Sequence, residues 1–178
     1  IIWRYQVIKQ ADVILLMLQL GNQFSRDLKI RNYDYYEPKT THDSSLSPAI
    51  YSIIGSEIGY KKQAYNYFMQ TARLDLDDYN ENAYQGVHTA CMGGTWLALV
   101  QGFAGMRMFD GKLYFHPHLP EDLSEYHFRL RFKNSQIEIK VDKDKVKYFL
   151  LSGEKIEFKH FDKIIQLDEG NLSEEVFI

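Results

Sequence analysis

The spacing of apolar residues along the chain changes its period near Phe109. Before this point apolar residues recur at helical spacing, and after it they alternate as they do in strands. Helices followed by strands favour separate layers or domains over a parallel βαβ sheet. We therefore predict an α+β, multidomain chain, with a helical part over residues 1–109 and a β domain over residues 110–178.

The helical part has recognisable ends. Gly21 and Gly59 are suited to helix C-termini, and Ser47 followed by Pro48 is typical of an N-cap and a first helical position. Together with the apolar spacing, these signals place the first helix over residues 6–20 and start the second at Pro48. The predicted helices cover residues 6–20, 48–58, 61–74 and 88–103.

The second part alternates clearly, and its last ten residues are acidic with little structural signal. A three-residue turn, residues 133–135, is expected to join two neighbouring strands. The predicted strands cover residues 112–116, 127–132, 136–141, 145–151, 155–159 and 163–167.

Composition narrows the function classes. The chain has 178 residues and 45% hydrophobic content, enough for a substantial core. A net charge of −3 argues against nucleic-acid binding, and one cysteine, Cys91, fits a reducing, cytoplasmic setting. The longest apolar run, residues 13–18, falls short of the ~20 residues of a membrane span. The opening has neither Met nor signal-peptide features, so we expect a piece of a longer protein.

Lys9 and Gln10 stand at the entry of a very apolar predicted helix. Buried polar groups are costly without partners. Either Lys9 reaches the surface along its aliphatic stem, or the pair binds sugar hydroxyls through its N–H groups. The residues alone leave both interpretations open.

The stretch "THDSSLSP" raises a similar choice. Capping a helix explains Ser47 but not His42, Ser44 and Ser45. Because a helix N-terminus attracts anions, two hydroxyls and an imidazole beside it could bind a phosphate. A capped loop without a ligand remains the alternative.

Two glycines, Gly93 and Gly94, interrupt a helical pattern at a cost of about 1 kcal/mol each. They indicate either tight helix packing or close approach of the backbone to a ligand. The acidic loop at residues 75–81 lacks the spacing of a calcium loop, and His116 with His118 lacks a third ligand. We expect no metal site.

Several motifs together resemble glycoside hydrolase family 65, whose α-glucoside phosphorylases act on maltose, kojibiose, nigerose or trehalose. They extend in family order over roughly residues 5–120. The motifs are "VIKQADV", "RNYDYYEPKTTHDSSLSP", "EIGY", "AYNYFMQTARLDLDDYN", "GVHTACMGGTW", "VQGFAGMR" and "LYFHPHLP".

The resemblance implies the last helices of an (α/α)6 barrel followed by a C-terminal antiparallel, sandwich-like β domain. It implies that Lys9 and Gln10 bind the glucosyl unit. It also implies that His42, Ser44, Ser45 and Gly93 bind phosphate. No catalytic residue is expected in this chain, because the family's general acid, a Glu, lies in the earlier part of the barrel.

The function implied is inverting phosphorolysis of a maltose-like disaccharide, giving β-glucose 1-phosphate and a free sugar. Inorganic phosphate is the co-substrate, and no cofactor, nucleic acid or membrane is expected. The full-length protein is expected to be a homodimer and the isolated chain inactive. A hydrolase of the same family and a non-catalytic helical interaction module are the alternatives.

Overall fold

The computed structural model describes residues 4–171 and 173–177, apart from the side chain of Phe177. The chain divides into two compact units, Ile1–Gly102 and Phe103–Ile178, ahead of the change of period at Phe109. The first unit is helical and the second is built from strands. The predicted order of helices followed by a mainly antiparallel β domain is therefore confirmed.

The helical unit follows the predicted pattern with one addition. The first helix is shorter than predicted, because residues before Asp12 run alongside another segment instead of coiling. The last predicted helix is α-helical at first and then π-helical over Ala98–Phe103. Its described α-helices are α1 (Asp12–Gln19), α2 (Arg26–Tyr36), α3 (Ser47–Ile58), α4 (Lys61–Ala72) and α5 (Thr89–Leu97).

The apolar pattern failed to predict α2. This helix turns polar residues inward: Lys29 is 3% exposed and pairs with Glu57 of α3, and Tyr33 is 1% exposed. Its start is nevertheless regular, since the Ser25 hydroxyl accepts from the Leu28 N–H as an N-cap does. A partly buried ion pair takes the place of the apolar stripe on which the prediction depended.

α3 is the central helix of the unit, and most of its residues are buried. It ends at Gly59, whose φ of 95° is the left-handed conformation expected of a C-terminal glycine. The expected N-cap was wrong by one residue. Leu46 takes that position, and Ser47 is the first helical residue with its hydroxyl bonded to His42.

The second unit contains two sheets whose inner faces share an aromatic core. The first has the order β1-β2-β6-β7, with β2 and β6 parallel, and the second is antiparallel in the order β3-β4-β5-β8. Tyr148 lies 4.8 Å from Phe158 and 5.6 Å from Phe115 between ring centroids. The strands are β1 (Arg107–Phe109), β2 (Lys112–Phe115), β3 (Tyr126–Phe132), β4 (Ser135–Val141), β5 (Lys145–Ser152), β6 (Lys155–His160), β7 (Lys163–Asp168) and β8 (Ser173–Phe177).

Two of these strands, β1 and β8, were not predicted. β8 belongs to the acidic end of the chain, where charged residues hide the alternation, yet it pairs with β5 through Lys145 and Glu175 at 2.9 Å. Ser135 opens β4, so the turn before it has two residues, not three. Within residues 4–171 and 173–177, no helix is both long enough and apolar enough to cross a membrane.

Candidate functional site

Two segments distant in sequence run side by side at the site. The Ile8 N–H donates to the Lys39 carbonyl over 2.9 Å, and the Thr41 N–H donates to the Ile8 carbonyl over 2.9 Å. Lys9 directly follows this bridge on one segment and His42 follows it on the other. The structure thus brings the expected sugar-binding and phosphate-binding segments together.

A small open pocket of about 80 Å³ lies where these segments meet. It contains Gln10 and Ser44, one residue from each expected group. The Gln10 amide donates to Asp12 over 2.9 Å, whereas Lys9 is exposed beside it. The lining residues are Gln10, Ala11, Asp12, Leu15, Ser44, Leu46, Ser47 and Ile50.

The two serines before α3 are fixed through their backbones. The Ser44 carbonyl accepts from the Ser47 N–H over 3.0 Å, and the Ser45 carbonyl accepts from the Cys91 thiol over 3.1 Å. Both serines are half-buried. In the part of the chain that the structure describes, no protein group bonds either hydroxyl, so both can donate to a ligand.

His42 is held much more firmly than its neighbours. Its φ of 58° lies in the left-handed region, which is uncommon for residues other than glycine and often marks a functional constraint. Nδ1 lies 3.0 Å from the Ser47 hydroxyl, and Nε2 lies 3.1 Å from the Tyr67 hydroxyl. The ring also packs against Tyr51 and Tyr67, with centroids 5.0 and 4.9 Å away.

Tyr67 connects His42 to a carboxylate. Its hydroxyl donates to Glu37 Oε1 over 2.7 Å, and the Gln63 amide donates to the same oxygen over 2.7 Å. Burial raises the pKa of Tyr67, with Glu37 adding to the shift, so the phenol stays protonated. Burial lowers the pKa of His42, and Glu37 opposes this, so the balance favours the neutral imidazole.

The two glycines of α5 have different surroundings. A Cβ on Gly94 would lie 3.0 Å from Ala49 Cβ and 3.4 Å from Thr71 Cγ2, so helix packing explains this glycine. A Cβ on Gly93 would meet nothing within 4 Å, and the residue is exposed. Packing therefore gives no reason for Gly93.

The acidic loop binds its own chain. Asp75 accepts from the His88 backbone N–H over 2.8 Å and contacts the His88 ring, and these bonds lower the pKa of Asp75. Asp78 accepts from the Asn82 and Ala83 N–H groups over 2.9 and 2.8 Å. These two carboxylates hold the segment that precedes α5 through hydrogen bonds to its backbone.

Sequence reasoning missed the residues that surround His42. Tyr67, Glu37, Gln63 and Tyr51 are not among the site residues predicted from the sequence. The local sequence carries no signal of this hydrogen-bond network, because the Tyr67–Glu37 bond spans 30 positions.

Comparison with known proteins gives matches over both units. Residues 1–97 match the glycosyl hydrolase family 65 central catalytic domain, and residues 106–167 match the C-terminal domain of that family. The chain spans less than a quarter of the length of the curated relatives it matches.

Several of these relatives are disaccharide phosphorylases. An alpha,alpha-trehalose phosphorylase of Thermoanaerobacter brockii is 53% identical over 96% of this chain and 22% of its own length. A maltose phosphorylase of Bacillus subtilis is 40% identical over 93% of this chain and 22% of its own length. A solved structure, "Putative kojibiose phosphorylase from human microbiome", has a TM-score of 0.90 and 37% identity, covering 97% of this chain and 24% of that one.

Proposed function

Because the chain belongs to glycosyl hydrolase family 65, we propose that it forms part of an inverting phosphorylase that cleaves an α-glucosyl disaccharide with inorganic phosphate. The observation that carries the proposal is the pair of hydroxyls on Ser44 and Ser45, which have no protein partner among the described residues. They stand before a 12-residue helix, in the segment that shares a pocket with Gln10.

The chemistry explains why such a segment is needed. An inverting hydrolase uses a carboxylate to activate water. Phosphate is already a nucleophile, so a phosphorylase needs an anion-binding site where the hydrolase has its carboxylate and water. A phosphate oxygen attacks the anomeric carbon, the glycosidic C–O bond breaks, and a general acid protonates the leaving oxygen. The products are β-glucose 1-phosphate and a free sugar.

Each predicted residue receives one role in this proposal. Ser44 and Ser45 donate to the phosphate, His42 borders it, and the exposed backbone of Gly93 leaves room beside it. Lys9 and Gln10 bind hydroxyls of the glucosyl unit. These six residues lie on segments that the structure connects at Ile8 and at Cys91.

The general acid is proposed to come from outside this chain. Glu37 does not fit the role, because its Oε1 already accepts from Tyr67 and Gln63. The isolated chain is therefore proposed to be inactive, without need of a cofactor in the complete enzyme. A cytoplasmic homodimer of full-length chains is proposed from the family resemblance alone.

The test uses the full-length protein that contains this chain. Turnover of trehalose, maltose and kojibiose is measured with and without phosphate, and β-glucose 1-phosphate is quantified. Replacing Ser44 and Ser45 by Ala should raise the KM for phosphate at least about tenfold, because a hydrogen bond to a charged group contributes about 1.5–3 kcal/mol. Ser152→Ala, an exposed hydroxyl of β5, is the matched control and should change nothing.

The alternatives give different results in the same assay. Turnover that proceeds equally well without phosphate would identify a hydrolase. Absence of turnover on every disaccharide, with the serine variants changing stability at most, would identify a non-catalytic interaction module.

A further inference from the structure

A continuous path of hydrogen bonds leads from Glu37 to the start of α3. Glu37 Oε1 lies 2.7 Å from the Tyr67 hydroxyl, which lies 3.1 Å from His42 Nε2. His42 Nδ1 lies 3.0 Å from the Ser47 hydroxyl. The path connects the end of α2, the middle of α4, the loop at His42 and the first residue of α3.

The carboxylate end fixes the direction of every bond on this path. A carboxylate accepts and does not donate, so the Tyr67 hydroxyl gives its proton to Glu37 and presents lone pairs to His42. Nε2 of His42 must then carry the hydrogen. In a neutral ring this leaves Nδ1 as an acceptor, and the Ser47 hydroxyl donates to it.

We propose that Tyr67 and Glu37 are positioning residues for the phosphate segment (residues 42–45), acting by fixing the tautomer and orientation of His42. This inference rests on the proposed phosphorylase function. With hydrogen held at Nε2, Nδ1 presents a lone pair toward Ser47. Either the Ser47 hydroxyl or the P–OH group of a hydrogenphosphate can donate to that lone pair.

Ordinary core packing does not account for this arrangement. Tyr33 also bonds inside the core, to the Tyr51 carbonyl at 3.4 Å, but that bond holds two helices whose backbones are regular. The Tyr67 path instead ends on a loop residue with φ of 58°, two positions before a serine that lines the pocket. Holding such a conformation costs energy, which the bonds to both ring nitrogens offset.

Tyr67→Phe in the full-length enzyme is the direct test. The ring and its packing remain, while the oxygen that accepts from His42 and donates to Glu37 is lost. We expect the KM for phosphate to rise about fivefold to tenfold, the effect of losing the one hydrogen bond that holds His42 Nε2. The KM for the disaccharide should change less than about twofold.

Tyr60→Phe is the matched control. Like Tyr67, Tyr60 donates to a carboxylate, Asp34 at 3.0 Å, and packs on a tyrosine ring, here Tyr33 with ring centroids 5.5 Å apart. It makes no bond to His42. We expect its KM for phosphate to match that of the unmodified enzyme.

A second pair of variants keeps the inference testable if Tyr67→Phe folds poorly. The amide oxygen of Glu37→Gln can still accept from Tyr67, so this variant should keep the KM for phosphate close to normal. Glu37→Ala removes the acceptor and should raise it. A KM for phosphate that is normal in Glu37→Gln but raised in Glu37→Ala shows that the accepting oxygen of residue 37 matters.

The outcomes separate cleanly. The positioning role is overturned if Tyr67→Phe leaves the KM for phosphate unchanged. It is also overturned if Tyr60→Phe raises this KM equally, or if the KM for the disaccharide rises as much as the KM for phosphate. If the unmodified enzyme turns over without phosphate, the proposed function itself fails. A phosphate-specific rise in Tyr67→Phe that Tyr60→Phe does not show supports the inference.

Discussion

Each unit of the molecule contains a histidine bonded to a tyrosine hydroxyl, and the two pairs have different surroundings. In the β unit, His160 is 3% exposed and its Nδ1 lies 2.8 Å from the hydroxyl of Tyr148, which is fully buried. In the helical unit, His42 is half-buried and bonds Tyr67. Burial lowers the pKa of both histidines.

The two histidines differ in their backbone conformation and in what lies beside them. His160 is the last residue of a regular strand, β6, and its ring packs against the buried Tyr148 and the exposed Phe161. His42 has a left-handed backbone, and its second nitrogen continues to Ser47 at the edge of a pocket. A lowered pKa is therefore common to both histidines, whereas the left-handed backbone beside a pocket distinguishes His42.

The largest expected effect is on the free energy of unfolding and comes from the Tyr148–His160 pair of the β unit. Tyr148→Ala would leave a cavity beside Phe115 and Phe158, and we expect the free energy of unfolding to fall by about 3–5 kcal/mol. The KM for phosphate of the full-length protein should not change under conditions where it remains folded. Chemical denaturation and initial rates are the measurements.

Tyr148→Phe is the control for this prediction, since it loses the bond to His160 and keeps the ring. Its expected cost is about 1 kcal/mol. If either variant alters the KM for phosphate, the division between a supporting pair and a site pair is wrong.

A smaller effect should appear as a pH dependence of stability. Burial, helped by the charges of His116 and Lys163, lowers the pKa of His160 from 6.5 to about 4. Between these values the unfolded chain binds a proton that the folded chain does not, so the free energy of unfolding decreases as the pH falls. The contribution is complete above pH 6.5 and lost toward pH 4, a change on the order of 2–3 kcal/mol.

His160→Asn isolates this contribution from the other groups that titrate in the same range. Asparagine can still bond Tyr148 from the place of Nδ1 and carries no titrating group. Unfolding curves at pH 5 and pH 7 should differ less in the variant than in the unmodified protein. An equal difference in both would show that His160 titrates normally in the folded state.

Much of the fold could be predicted because its signals are local. Pro48 and Gly59 mark the ends of α3 within one residue, and the alternation in β3, β5, β6 and β7 reflects one buried face on each strand. α2 was not predicted, because Lys29 and Tyr33 occupy its buried face in place of apolar residues. An inward-facing lysine depends on a partner, here Glu57, which local patterning cannot reveal.

The candidate site shows the same division. "THDSS" and "KQ" were recognised because each is a short run with an unusual residue choice. The hydrogen-bond path from Glu37 through Tyr67 to His42 was not recognised. Tyr67 lies 30 positions from Glu37 and 25 from His42, and these side chains meet only after α3 and α4 have packed. Sequence patterns identify candidate ligand-binding groups more readily than the side chains that contact those groups.

The smallest expected effect on the free energy of unfolding concerns Gly93. Comparing it with Gly94 distinguishes a proposed phosphate-site residue from a packing residue within one helix. Because a Cβ at Gly93 would meet nothing within 4 Å, Gly93→Ala should raise the free energy of unfolding by about 0.5–1 kcal/mol through helix propensity. If its backbone borders the phosphate, the KM for phosphate should nevertheless rise. Gly94→Ala is the control: its Cβ would press on Ala49 at 3.0 Å, so it should destabilise the protein without a phosphate-specific effect. A stabilised Gly93→Ala with an unaltered KM would remove Gly93 from the site and leave the serines to bind the anion with His42.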